Sequence, residues 1–197
     1  MTTLTDRISK PNPADVNTGL SAGKQETLRT LFGPSWSGPL GVDCGETHPK
    51  YRPFVITKDC GPFRATGNAV FLMAVSKAFV RVFQSNPALY HALGTAGCLC
   101  ARLIRGSNTT PSNHSWGTAI DITIGGILDD RGDNLCQRGL LALYPFMHEQ
   151  GLYWGTEFPT EDSMHFEAAD QTLWKWALNG DFGFDVQVRA KAARGIN

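Results

Sequence analysis

The sequence predicts an α+β fold, with a small antiparallel sheet packed against helices. Three observations predict it. Phe71, Val75, Ala78, Phe79, Val82 and Phe83 recur at helical steps. The segments AIDITI (119–124) and MHFEA (164–168) alternate in polarity with the period of two expected of strands. The 197 residues, 42% apolar and 18% charged, suffice for one ordinary domain with its own core.

Along the chain, the polar, proline-broken residues 1–20 read as an extended arm. Ser21 is placed to cap a short helix that Gly33-Pro34 stops near Phe32. The stretch 33–67 is rich in Gly and Pro and reads as loops with short strands such as PFVIT at 53–57. Asn68 to Ser85 is the clearest helix, and Asn86-Pro87 opens a shorter one ending near Gly94. CLCARLIR (98–105), AIDITI and MHFEA are expected as strands. A helix over Asn134–Gln150 should be weakened by Gly139 and Pro145. Asp170 is expected to cap a last helix ending at Gly180. This divides the chain into residues 1–66, an arm, short helix and irregular loops serving as a lid or docking segment, and residues 67–197, the core. Both are expected within one compact domain.

Composition excludes several function classes. Eighteen Lys and Arg balance eighteen Asp and Glu, so no net charge draws the chain to nucleic acid or to anionic membranes. No stretch approaches the roughly 18–20 apolar residues of a membrane helix, and the N-terminus lacks the apolar run of a signal peptide. The five cysteines, an odd count without a signal peptide, predict mostly reduced packing thiols. A Cys44–Cys60 bridge across the Gly/Pro-rich stretch is the alternative.

Two short segments carry candidate chemistry. In SNHSWGTAIDITI (112–124), strand alternation puts Asp121 and Thr123 on one face and three isoleucines on the other. An acid within an apolar strand needs compensation, which either an arginine or a metal ion supplies. His114 lies seven residues earlier, and Gly117 permits a turn bringing its ring back. In EDSMHFEA (161–168), His165 and Glu167 share a face, with Met164 and Phe166 on the other. Two imidazoles and one carboxylate form a normal three-ligand set for catalytic zinc. Asp162 is placed to handle protons, with Glu161 as the fallback.

The pattern SxHxxGxAxD, here Ser112, His114, Gly117, Ala119 and Asp121, is followed by DxMHFE, here Asp162 and Met164–Glu167. Together they resemble the D-alanyl-D-alanine carboxypeptidase family of zinc metallopeptidases, the group that includes lysostaphin-type and hedgehog-type zinc folds. GLYWGTEF (151–158) also resembles the Gly–Trp-Gly stretch preceding the second motif in phage and bacterial members of the family, which includes phage L-alanyl-D-glutamate endolysins. The resemblance spans roughly residues 68–176.

It implies one Zn²⁺ on His114, Asp121 and His165, and Asp162 as catalytic base. It also implies a substrate-binding arginine upstream of the first motif. Arg102 is the choice and Arg105 the runner-up, since strand geometry would point them to opposite faces. Ser112, Trp116 and Trp154 are expected to shape the cleft. The substrate class implied is a peptidoglycan stem peptide or muropeptide, cut by a D,D-carboxypeptidase or L-Ala-D-Glu endopeptidase. The alternatives are a non-catalytic zinc-binding domain of the same fold and a cytoplasmic D-Ala-D-Ala dipeptidase. A wall substrate with no visible signal peptide implies holin release or dedicated secretion, and an immunity or secretion partner if the protein is an effector.

His48, His91, His148, Trp36, Trp174 and Trp176 read as ordinary surface or packing residues. Asp129–Asp133 lacks the spacing of a calcium loop and reads as a solvated turn.

Overall fold

The computed structural model describes residues 3–196. Its central sheet has five antiparallel strands. β4 (Leu93–Gly97), β5 (Ala119–Ile124), β9 (His165–Ala168) and β8 (Leu152–Trp154) lie in that spatial order, and β6 (Ile127–Leu128) adds to β5. Two antiparallel pairs flank it: β1 (Arg7–Ser9) with β7 (Leu135–Gln137), and β2 (Val55–Asp59) with β3 (Arg64–Asn68). The helices are α1 (Gln25–Phe32), α2 (Ala69–Ser85), α3 (Pro87–Ala92), α4 (Arg138–Glu149), α5 (Asp170–Asn179) and α6 (Phe184–Arg194). The α+β expectation holds. Among the described residues no helix is long and apolar enough to cross a membrane.

Helix α2 starts where the side chain of Asn68 accepts the amide N–H groups of Val70 (3.0 Å) and Phe71 (3.3 Å). Phe71, Leu72, Val75, Ala78, Phe79 and Val82 are fully buried. Phe83, expected on the same stripe, is 52% exposed and packs edge-on against Tyr90 instead. Helix α4 shows why Gly139 is there. A Cβ at that position would meet Ile124 side-chain carbons at 2.8–3.0 Å, so the missing side chain lets α4 press directly onto β5. Pro145 sits inside α4 without ending it.

Several boundaries differ from the sequence reading. Residues 98–105 form no strand. The strand lies just before, at β4, and this segment makes only isolated bridges, Gly45 with Ala101 and Leu103 with Pro111. Its backbone bonds are scattered over several segments: Gly45 N–H donates to Ala101, Leu103 N–H to Gly41, Leu99 N–H to Thr66 and Cys100 N–H to His114. Cys44 and Cys100 form a disulfide at the same place, while Cys60, Cys98 and Cys136 are free and buried. The Cys44–Cys60 pairing is therefore wrong, because Cys60 lies in the β2–β3 turn and Cys44 faces the 98–105 segment.

Ser21 does not cap α1, which begins four residues later; its hydroxyl bonds Gln171 instead. Asp170 is the first residue of α5 rather than its cap. Its carboxylate accepts the Thr27 hydroxyl at 2.6 Å and Lys24 N–H at 3.3 Å, tying α1 to α5. The N-terminal residues are thus built into the body. Val16, Leu28 and Leu31 are buried in the core, and Asn17 exchanges hydrogen bonds with the Trp154 backbone.

The acidic turn 129–133 is not merely solvated. Arg7 of β1 reaches Asp129 (3.2 Å), Asp130 (2.7 Å) and Asp133 (2.5 Å). Asp129 is buried, and burial outweighs the guanidinium to raise its pKa to about 6.

Candidate metal centre

Strands β5 and β9 pair so that Asp121 lies directly opposite His165. Directly opposed residues of antiparallel strands project from the same face, so register alone brings this carboxylate and imidazole together. The third group arrives by a turn. Ser112 Oγ accepts His114 N–H at 3.3 Å and starts a single 3-10 turn, Asn113–Trp116. Gly117 ends it with φ +60°, and a Cβ there would lie 2.8 Å from Gly67 Cα and Asn68 N. Only glycine fits both the dihedral and the contact with the β3–α2 junction. The turn swings the His114 ring over β5.

Three atoms converge. His114 Nε2, Asp121 Oδ1 and His165 Nδ1 are each 3.2 Å from the other two. The remaining ring nitrogens fix the tautomers. His114 Nδ1 lies 2.7 Å from the Cys98 carbonyl, which only accepts, so Nδ1 carries the proton. His165 Nε2 lies 2.9 Å from Glu167 Oε2 and donates to it. Neutral rings in these tautomers turn two lone pairs toward each other and toward a carboxylate oxygen. Three acceptors in a triangle repel unless a cation sits among them.

Without a metal that cation is a proton. Burial alone would depress the His165 imidazole, but hydrogen bonds to Asp121 and Glu167 outweigh it and raise the pKa to about 10. Burial likewise opposes ionisation of Asp121, yet the two imidazoles hold its carboxyl well below the usual range. The same triangle fits zinc: tetrahedral donors about 2.0–2.1 Å from the ion stand roughly 3.3 Å apart. His114, Asp121 and His165 can therefore hold a metal ion. The partners of the outer nitrogens complete the arrangement that metal-binding histidines require.

The triangle forms part of the floor of a cleft of about 470 Å³. Asp162, Arg102, Arg105 and Ser112 line it, as do Lys24, Gln25, Arg131 and Phe158. Asp162 is half-buried; burial raises its pKa, opposed by His165 and by Arg131, whose Nε is 3.3 Å from Asp162 Oδ2. Arg102 and Arg105 both face the cleft, because 98–105 is a loop and strand alternation does not apply. Glu161, the fallback for Asp162, does not line the cleft: it is buried and accepts Ser163 N–H (2.6 Å) and Gly132 N–H (3.1 Å).

Trp116 and Trp154, expected to shape the cleft, do not line it. Both are fully buried, with indole N–H groups bonded to the Gly33 and Ser163 carbonyls. They support the site from beneath: Trp154 stacks on Phe166 of β9, and Trp116 belongs to the His114 turn.

Sequence reasoning missed Arg131, Lys24 and the role of Glu167. Glu167 accepts His165, Asn113 Nδ2 (2.9 Å) and Gly23 N–H (2.7 Å), and so links three segments at the site. Its shared face with His165 was the available signal. Nothing local marked Lys24, which lies 141 positions before His165 in the chain.

Residues 105–168 match the family described as D-alanyl-D-alanine carboxypeptidase, which supports the resemblance carried by the two motifs. That segment contains both motifs and is about a third of the chain. No curated protein matches the sequence.

Proposed function

We propose that this chain, whose residues 105–168 match the family described as D-alanyl-D-alanine carboxypeptidase, is a zinc-dependent peptidase hydrolysing a peptide bond in peptidoglycan stem peptides. The observation that carries this reading is the triangle of His114 Nε2, Asp121 Oδ1 and His165 Nδ1, open to a cleft that also contains a carboxylate. Zinc in such a site supplies Lewis acidity, polarising a carbonyl and bringing the ionisation of water toward neutral pH.

The chain's own residues supply the rest. Asp162 accepts the proton of the attacking water and returns it to the departing amine. Its half-burial, which raises the carboxyl pKa, suits a group that must both take and give a proton near neutrality. Arg131 holds this carboxylate from the side. Arg102 provides a guanidinium for the substrate carboxylate or for the carbonyl oxygen as negative charge develops. Glu167 and the Cys98 carbonyl keep the imidazoles in one tautomer and orientation throughout.

A non-catalytic zinc fold would have no use for a carboxylate beside the triangle, and Asp162 disfavours it. The Cys44–Cys100 disulfide favours action in an oxidising compartment over a cytoplasmic dipeptidase. Incubating the zinc-loaded protein with purified muropeptides and identifying products by mass spectrometry tests the proposal. One cleaved bond, lost on chelation and regained with zinc, is expected. Intact muropeptides after exposure to fully zinc-loaded protein would overturn it.

A further inference from the structure

One wall of the cleft lies outside the family-matching segment. Ala22, Gly23, Lys24 and Gln25 line it, brought there by the N-terminal region. This wall is firmly anchored. Gly23 N–H donates to Glu167 Oε1 (2.7 Å), and its carbonyl accepts Asn113 Nδ2 (2.7 Å). Lys24 N–H donates to Asp170 (3.3 Å), and Gln25 Nε2 donates to Asn113 Oδ1 (3.3 Å). A Cβ on Gly23 would lie 2.6 Å from the Ala168 carbonyl oxygen, so the close approach to β9 requires glycine. The segment therefore holds one position relative to His165 and Glu167 before any ligand arrives.

The charges on the cleft are unevenly used. Among its acids, Glu167 is consumed by hydrogen bonds, Asp121 by the two histidines, and Asp162 by Arg131. Among the described residues, Lys24, Arg102 and Arg105 line the cleft without an acidic partner. Lys24 is an exposed residue and lies on a segment different from the one carrying the two arginines. Cations left unpaired on separate walls of one concave site attract an anion with charges to match.

We propose that Lys24 is a specificity residue, binding a second substrate carboxylate distinct from the one met by Arg102 and Arg105. The substrate class is then a peptide with at least two free carboxylates placed across the cleft. The inference rests on the peptidase reading for its peptide ligand, and its test separates the two.

The probes are L-Ala-γ-D-Glu-L-Lys-D-Ala-D-Ala, the same peptide amidated at the D-Glu α-carboxyl, and the same peptide amidated at the C-terminus. Binding is measured calorimetrically on the zinc-loaded full chain carrying Asp162→Asn, whose amide oxygen can still accept from Arg131, so that the peptides stay intact. Hydrolysis by the wild type is followed separately. Each amidation should weaken binding by about tenfold, the worth of one charge-assisted hydrogen bond at a solvated site. Adding Lys24→Ala should weaken the dicarboxylate peptide by the same factor, abolish the penalty of one amidation and leave the penalty of the other. Lys24→Arg should restore the wild-type pattern.

Equal losses on all three peptides, no loss on any, or no binding of any would overturn the inference. Binding with this selectivity, beside a wild type that cleaves none of the three, contradicts the peptidase reading and leaves the carboxylate site standing. A wild type that cleaves all three, with binding indifferent to Lys24→Ala, does the reverse.

Discussion

Asp121 and His165 are opposed residues on β5 and β9, and their side-chain atoms Oδ1 and Nδ1 stand 3.2 Å apart on the cleft side of the sheet. The pairing is set by register, so a slip of β9 by one residue would turn His165 to the face opposite Asp121. Everything proposed for this protein depends on that alignment holding while His114 closes the triangle.

Metal binding should be steeply pH-dependent. In the metal-free protein the His165 pKa, raised to about 10, means that a proton occupies the triangle at neutral pH. A divalent cation must expel it, so zinc affinity should fall about tenfold per unit as pH decreases. Calorimetry in buffers of different ionisation enthalpy should record release of about one proton per zinc bound. The stability sign follows from the same shift. The folded pKa lies above the unfolded one, so this contribution is complete below about 6.5 and is lost as pH rises through about 10. A metal-free protein whose thermal stability rises across that interval would contradict the proton-filled triangle.

Arg131 opposes the burial that raises the Asp162 pKa. Arg131→Ala should therefore move the acid limb of the kcat profile to higher pH, and Arg131→Lys should move it less. Asp162→Ala should keep zinc and lose turnover by about 10²-fold or more. An acid limb unmoved in Arg131→Ala would remove Asp162 as the titrating base.

The Cys44–Cys100 disulfide closes a 56-residue separation and fastens the loop carrying Arg102, next to the Cys98 carbonyl that fixes His114. Replacing both cysteines by serine should cost about 2–4 kcal/mol of stability, read from denaturant unfolding. KM should rise more than kcat falls if the loop positions substrate. Unchanged stability would show that the loop is held by its backbone bonds alone.

Gly139→Ala should destabilise by about 1–3 kcal/mol, because the new methyl meets Ile124, whose strand also carries Asp121. Ile124→Val in the same chain should recover part of the loss. Full stability in Gly139→Ala would indicate that α4 has room to shift.

That Asp121 and His165 could share a face was legible in the sequence because strand alternation is local, whereas His114, in a turn outside both strands, was joined to them by the spacing of the motifs. Asp121 sits against the pattern of AIDITI, and His165 shares a face with Glu167, whatever the rest of the chain does. The arginine geometry was not legible. CLCARLIR reads as a strand by composition, but its backbone groups are shared among Gly41, Gly45, Thr66, Thr110, Ser112 and His114 and its Cys100 is bonded to Cys44, a tertiary choice no local pattern records. Trp116 and Trp154 were misplaced because proximity to a motif in sequence does not say which side of the sheet an indole occupies. Arg131 and Lys24 reach the cleft only after Arg7 fixes the acidic turn and Asp170 fixes the N-terminal segment. Both are pairings across more than a hundred residues.

The central claim is that His114, Asp121 and His165 together hold one zinc ion. Zinc content by elemental analysis, after dialysis of the wild type and of Asp121→Ala and His165→Ala against buffered zinc, tests it most directly. The account predicts about one zinc per chain in the wild type and a loss of affinity of at least about tenfold in each variant, with all three folded by circular dichroism. A wild type that takes up no zinc, or variants that retain it at full affinity, would contradict it.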